Sequence, residues 1–222
     1  MRYLIQNGII HAADGDTILV HPGEYFENIN FLGKNIVVTS VMSDQVDENQ
    51  IYQTIINGNN NGTTVTFENG EDSTAVLNGF AITGGSGTYF NDGLFNHQTN
   101  GGGILCLNSS PVLKKVNINE NILNGFSQFN GAGIYSYNST FKLQESRISN
   151  NILNSAHSNG AAVYCLDSAP VITNVIINNN VQFEGNPNST IIYLDNTNLI
   201  VNNNTIYNNI LYSGAGLARA DN

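Results

Sequence analysis

The chain has 222 residues, 41% hydrophobic and only 11% charged, and its 17 acids against 7 lysines and arginines give a formal net charge of -10. That balance offers no basic patch to neutralise phosphates, so nucleic acid is excluded as a partner, and no run of about 20 apolar residues exists to cross a membrane. The apolar content suffices for a core while Asn, Ser and Thr carry solubility, and a single domain, 1–222, is expected at this length.

Residues 1–16 read as a cap: a short helix over 3–13, then an Asp14-Gly15-Asp16 turn, since Asp and Gly make turns for backbone reasons. Gln6 and Asn7 come before any leader-like apolar run develops, so no signal peptide is read and the chain is expected to be a mature form or a piece of a longer one. Residues 17–100 are expected to build irregular first coils of what the rest of the chain repeats, with Asp44, Asp47 and Glu48 in a further turn. His11, His21 and His97 fall singly, without metal-ligand spacing.

From residue 101 onward the chain is regular. Segments 101–121, 131–151, 160–180 and 189–209 superpose without a gap at offsets of 30, 29 and 29 residues, and a fifth copy begins at Gly214, with Leu217 in the column of Val163. Such a period means one supersecondary unit stacked on its neighbours. The columns Ile104, Ile134, Val163, Ile192; Val112, Lys142, Val171, Ile200; Leu113, Leu143, Ile172, Val201; and Ile118, Ile148, Ile177, Ile206 are short clusters rich in β-branched residues, set between Asn, Ser, Pro and Gly. They predict three short parallel strands per coil, with coils about 4.8 Å apart. The last coil stops unfinished at Asn222. Its open end is expected to be covered by a further region, by the tail itself or by a neighbouring subunit through self-association.

Asn108, Asn138, Asp167 and Asn196 share a column, which Asp221 extends, and Asn121, Asn151, Asn180 and Asn209 share another, so amide ladders along the stack are expected. Asn61, Asn108, Asn138, Asn188 and Asn203 open Asn-X-Ser/Thr sequons, which at Asn108 and Asn138 compete with the ladder reading. Cys106 and Cys165 share a column with Ser136 between them. Two coils separate them by about 9.6 Å, beyond the roughly 7 Å reach of a disulfide, so two free packed thiols are expected.

The run Gly-Gly-Gly-Ile-Leu-Cys-Leu-Asn-Ser-Ser-Pro-Val at 101–112 and its counterpart at 160–171 resemble the parallel β-helix repeats of the pectin-lyase-like superfamily. Ile5-Gln6, Ala12-Ala13, Asp14-Gly15-Asp16-Thr17 and Pro22-Gly23-Glu24-Tyr25 are similar to the opening of many secreted bacterial β-helix proteins, where a short helix covers the first coil. The resemblance implies an all-β fold, a single-stranded right-handed parallel β-helix (β-solenoid) of about six coils with a short N-terminal capping helix. It also implies a secreted or cell-surface setting. It leaves activity open, because the superfamily includes lyases, hydrolases, adhesins and phage fibres. Its polygalacturonases use three Asp with Gly-His-Gly and Arg-Ile-Lys segments, none of which occurs here, where Arg147-Ile148 is followed by Ser149. Its pectate and pectin lyases hold calcium with clustered acids and use Arg or Lys as the base.

Chemistry is expected only from outward side chains, since Ile, Val and Leu fill the inward columns. Lys142, Glu145 and Arg147, with Lys114, lie between the two ladders and are the candidates for a lyase-like acid and base. The competing reading is a solvated ion pair of Lys115 and Glu145, which share a column one coil apart. Asp167 and Asp195 are the metal candidates, diagonal neighbours placed to share calcium, against a reading as one ladder residue and one separate acid.

Each coil also inserts a segment of different length at one corner: residues 86–100, 122–130, 152–159, 181–188 and 210–213. That corner carries Tyr89, Phe90, Phe95, His97, Phe126, Phe129, His157, Phe183 and Tyr212. Exposed, these would stack on sugar rings or anchor a partner; packed together, they would shield the coil. Tyr135, Tyr164 and Tyr193 form a column with Leu105 whose direction stays open. The expected function is a noncatalytic extracellular or cell-surface module for glycan or surface binding or adhesion, with a polysaccharide or cell-surface glycan as partner and no cofactor. The alternatives are a calcium-dependent polysaccharide lyase and a head-to-tail filament or structural surface subunit.

Overall fold

The structure, a computed structural model, describes residues 4–45, 47, 50, 52–90, 97–126, 128–155, 157–184, 190–212 and 216–221. It is an all-β parallel solenoid of about six turns, opened by a seven-residue helix, Ile5–His11, two residues shorter at each end than the sequence implies. Three faces recur. The first is a seven-stranded sheet running from Ile29–Asn30 and Val65–Phe67 through Ile104–Leu107, Ile134–Tyr137 and Val163–Leu166 to Thr190–Asp195 and Gly216–Asp221. The second and third faces start at Thr17–Val20 and Gly23–Phe26, and fuse into one 12-stranded sheet because Lys142–Ser149 and Val171–Asn178 each span both.

The register is that of the sequence columns: Ile104 opposes Ile134, then Val163, then Ile192, and Ile118 opposes Ile148, then Ile177, then Ile206. Alternate residues point inward, so Ile104, Leu113, Ile118, Leu143 and Ile148 are fully buried. Beyond the fourth copy the register departs from the gapless alignment. Ala218, not Leu217, opposes Ile192, and Asp221 opposes Asp195 rather than Asn196. The fifth copy is therefore seated one residue later than an alignment starting at Gly214 places it.

A left-handed residue bends the chain between faces. Asn108, Asn138, Asp167 and Asn196 hold φ of 45–51°, and Lys115, Glu145, Asn174 and Asn203 hold 47–56°. Asn and Asp enter this region most readily because their short polar side chains hydrogen-bond locally, so the Asn columns are turn chemistry before they are ladders. Lys115 and Glu145 accept the steric cost without that compensation.

The helix is clamped at both ends by the first coil. The Glu27 carboxylate accepts the N–H groups of Ile5 and Gln6 at 2.8 and 3.0 Å, and Lys34 Nζ donates to the carbonyls of Ile9, Ile10 and Ala12 at 2.7–2.8 Å. Each charge complements the helix dipole and satisfies groups that a helix end leaves unpaired. The Gln6 amide in turn pairs with Asn30 N–H and C=O, closing that strand's outer edge as a neighbouring strand would.

Candidate functional site

The corner insertions are ordered strands, so a regular coil has five strands rather than three. Ile122–Asn124, Ile152–Asn154, Val181–Glu184 and Ile210–Leu211 form one four-stranded parallel sheet. Gln98–Asn100, Gln128–Asn130 and His157–Asn159 stack into another, whose first edge is closed by Thr88–Phe90 running antiparallel. Leu123, Leu153 and Phe129 point inward and are buried in the main core.

The aromatic candidates divide. Phe129 is only 7% exposed, while Phe126 is fully exposed. Phe90 packs, partly buried, on the cluster of Leu105, Tyr135 and Tyr164. Tyr89 and His97 are exposed and joined by a 2.9 Å contact between the Tyr89 hydroxyl and His97 Nδ1. Phe183 stacks on Tyr212 with centroids 5.2 Å apart at 14°. Phe95 lies outside the described residues, and His157 is described only by its backbone.

The tyrosine column lies outside the main core yet is mostly covered: Tyr135 and Tyr164 are buried and Tyr193 half-buried, with successive rings 5.2 and 5.0 Å apart. In these stacks each ring turns its faces to its neighbours along the solenoid. Their faces are therefore used internally, and outward contact is by ring edges and apolar rows. The row beside Phe183 and Tyr212 runs Ile122, Ile152, Val181, Ile210, with both end residues exposed. Flanking it, Asn154 Nδ2 donates to Asn124 Oδ1 at 3.1 Å.

The charged candidates are spread over the faces. Glu145 pairs with Lys114 at 3.4 Å, not with Lys115, whose Nζ instead donates to Ser43 O at 2.8 Å. The shared column is real, but a left-handed residue aims its side chain differently from a strand residue, and Lys114, on the strand, reaches across. Lys142 pairs with Val112 on the second face and Arg147 with Asn117 on the third, on opposite sides of the Glu145 turn, and Arg147 Nη1 donates to Asn178 Oδ1 at 3.4 Å. Asp195 opposes Leu166, one residue off the Asp167 column as the sequence implies, and Asp167 accepts Asn196 Nδ2 at 2.6 Å. Among the described residues no group of three or more His, Cys, Asp or Glu converges.

The inner ladder is continuous. Asn121, Asn151 and Asn180 each donate Nδ2 to the next Oδ1, ending at Asn209, at 2.9 Å in every step, and the first three are fully buried. Two polar columns escape the sequence reading. Asn130 Nδ2 donates to Asn100 Oδ1 at 3.0 Å, and the N–H groups of Ser109 and Ser139 donate to the hydroxyls of Ser139 and Ser168. Buried Glu71 heads the serine column, accepting Ser109 Oγ at 2.7 Å and the N–H groups of Gly33 and Asn69. A signal existed: Asn100, Asn130 and Asn159 each precede the glycine that opens a repeat, and a hydroxyl residue follows each of Asn108, Asn138, Asp167 and Asn196.

Cys106 and Cys165 are free and buried with Ser136 between them, and desolvation raises both thiols above their ordinary range. No family model, no curated protein and no solved structure matches this chain.

Proposed function

We propose that the chain is a noncatalytic extracellular or cell-surface module that holds a polysaccharide against its corner sheet. The observation that carries this reading is the row Ile122, Ile152, Val181, Ile210, exposed at both ends and half-buried between, flanked by the Asn124–Asn154 amide pair and the Phe183–Tyr212 stack. Uncharged apolar rungs about 4.8 Å apart offer contact to the C–H faces of an extended sugar chain, while amides meet its hydroxyls. A surface so poor in charge suits a neutral polymer better than a polyanion. The pairing of Glu145 with Lys114 and of Asp167 with Asn196 supports a structural use of the acids over a lyase site.

The test is retention of the purified chain on neutral glycans, pectate and alginate, with and without calcium, while following chain cleavage. Retention on a neutral polymer that Ile122→Asp and Ile210→Asp abolish, at unchanged Tm, is the expected result. Calcium-dependent cleavage would replace this reading with the lyase.

A second reading, head-to-tail assembly, has its own observation. Among the described residues the second and third faces end in open edges, Ile200–Asn202 and Thr205–Tyr207 at one end and Thr17–Val20 and Gly23–Phe26 at the other. Against it, the clamped helix occupies the end of the first face, where Gln6 pairs with Asn30 as a neighbouring strand would. A single concentration-independent species in size exclusion would dispose of it.

A further inference from the structure

Nine asparagines in this chain precede a glycine, the neighbour that least hinders deamidation because it has no side chain. In that reaction the glycine backbone nitrogen loses its proton and attacks the asparagine Cγ. A C–N bond forms, the side-chain nitrogen leaves as ammonia, and water opens the succinimide to aspartate or isoaspartate. Water is the only other reactant. A hydrogen bond donated by the glycine N–H must open before its nitrogen can attack, so local stability sets the rate.

All nine of these glycine N–H groups donate. Six donate to a main-chain carbonyl across the stack, as Gly58 does to Thr83 O and Gly160 to Thr190 O, both at 2.8 Å, and Gly8 is held within the helix. Two donate to a serine hydroxyl: Gly62 to Ser86 Oγ at 2.9 Å and Gly70 to Ser109 Oγ at 3.2 Å. Asn61 and Asn69, the partners of these two, are exposed, and among the described residues neither carboxamide has a hydrogen-bond partner. By contrast Asn57 and Asn124 have theirs engaged by Glu24 and Asn154. Around Gly70 nothing lies within 4 Å of where a Cβ would stand, so the backbone has room to move.

We infer that Asn69 is the first modification site of the folded chain, with the Ser109 hydroxyl as its gate and Asn61, gated by Ser86, the second. The product puts a new carboxylate two residues from buried Glu71, at the head of the serine column. The loss of amide at Asn69 therefore marks the turn on which that column rests.

The experiment is peptide mapping of the full chain during incubation at mildly alkaline pH, with isoaspartate detection, for wild type, Ser109→Ala and Ser86→Ala. Asn69 is expected to convert first and Asn61 next. Ser109→Ala should speed Asn69 several-fold and leave Asn61 unchanged, and Ser86→Ala should do the reverse. Earlier conversion at any of the other seven pairs would overturn the inference. So would a Ser109→Ala variant that leaves the Asn69 rate unchanged, or one that speeds all nine alike.

Discussion

Asn196 donates its amide to Asp167 at 2.6 Å, yet no side-chain hydrogen bond joins Asp167 to Asn138 in the preceding turn. Asn138 gives its own Nδ2 to Asn108 Oδ1 at 2.8 Å, so the column passes donors in one direction and needs an amide where a carboxylate, an acceptor only, now stands. Asp167→Asn keeps the acceptor for Asn196 and adds the missing donor. A gain of about 0.5–1 kcal/mol is expected, small because the column is exposed. It should appear as a raised Tm in thermal denaturation; a lowered Tm would mean that the carboxylate serves something other than the ladder.

The buried ladder should respond far more strongly. Asn151 accepts from the Asn121 backbone and side chain and donates to Ile118 O and Asn180 Oδ1. Asn151→Leu has a similar volume but leaves several buried partners unpaired, each costing about 1–3 kcal/mol. A loss of at least about 3 kcal/mol in urea unfolding is expected. A near-neutral result would show that water replaces the side chain, which the fully buried position argues against.

How far the sequence reveals the molecule depends on where each signal lies. The three main faces are legible because Ile104, Leu113 and Ile118 recur at a nearly constant offset, and stacking demands that equivalent positions meet. The corner strands are not, because Ile122–Asn124 and Gln128–Asn130 are three residues long and rich in the same Asn, Ser and Gly that make turns. Their order comes from pairing across turns some thirty residues apart. Buried Glu71 is hidden for the same reason: its partners Gly33 and Ser109 lie 38 residues away on either side. Aromatic residue type alone could not separate Phe126 from Phe129, since a shift of three positions in a bent segment reverses which side faces the core.

The thiols give a pH dependence with a definite sign. Burial raises both, and for Cys106 the neighbouring Cys165 and Glu71 add to desolvation. The folded chain therefore keeps protons that the unfolded chain releases, so this contribution is complete below the unfolded value of about 8.5 and is lost as pH rises beyond it. Wild-type Tm should fall more steeply above about pH 9 than that of the Cys106→Ala, Cys165→Ala double variant. Iodoacetamide should label neither thiol of the folded chain at pH 8; rapid labelling there would contradict the burial.

Phe126 and Phe129 separate contact from support at the corner. Phe129 belongs to the same buried core as Leu123, with Gly125 so close that a Cβ there would stand 2.8 Å from the Phe129 ring. Phe129→Ala empties that space and should cost about 3–5 kcal/mol. Phe126, fully exposed in the next turn of backbone, touches little, and Phe126→Ala should stay within about 0.5 kcal/mol. Any loss of glycan retention in Phe126→Ala would then be a loss of contact, whereas a loss in Phe129→Ala would follow from a collapsed corner sheet. Chemical denaturation run beside the retention assay distinguishes them, and equal destabilisation by both variants would mean that Phe126 packs against the corner after all.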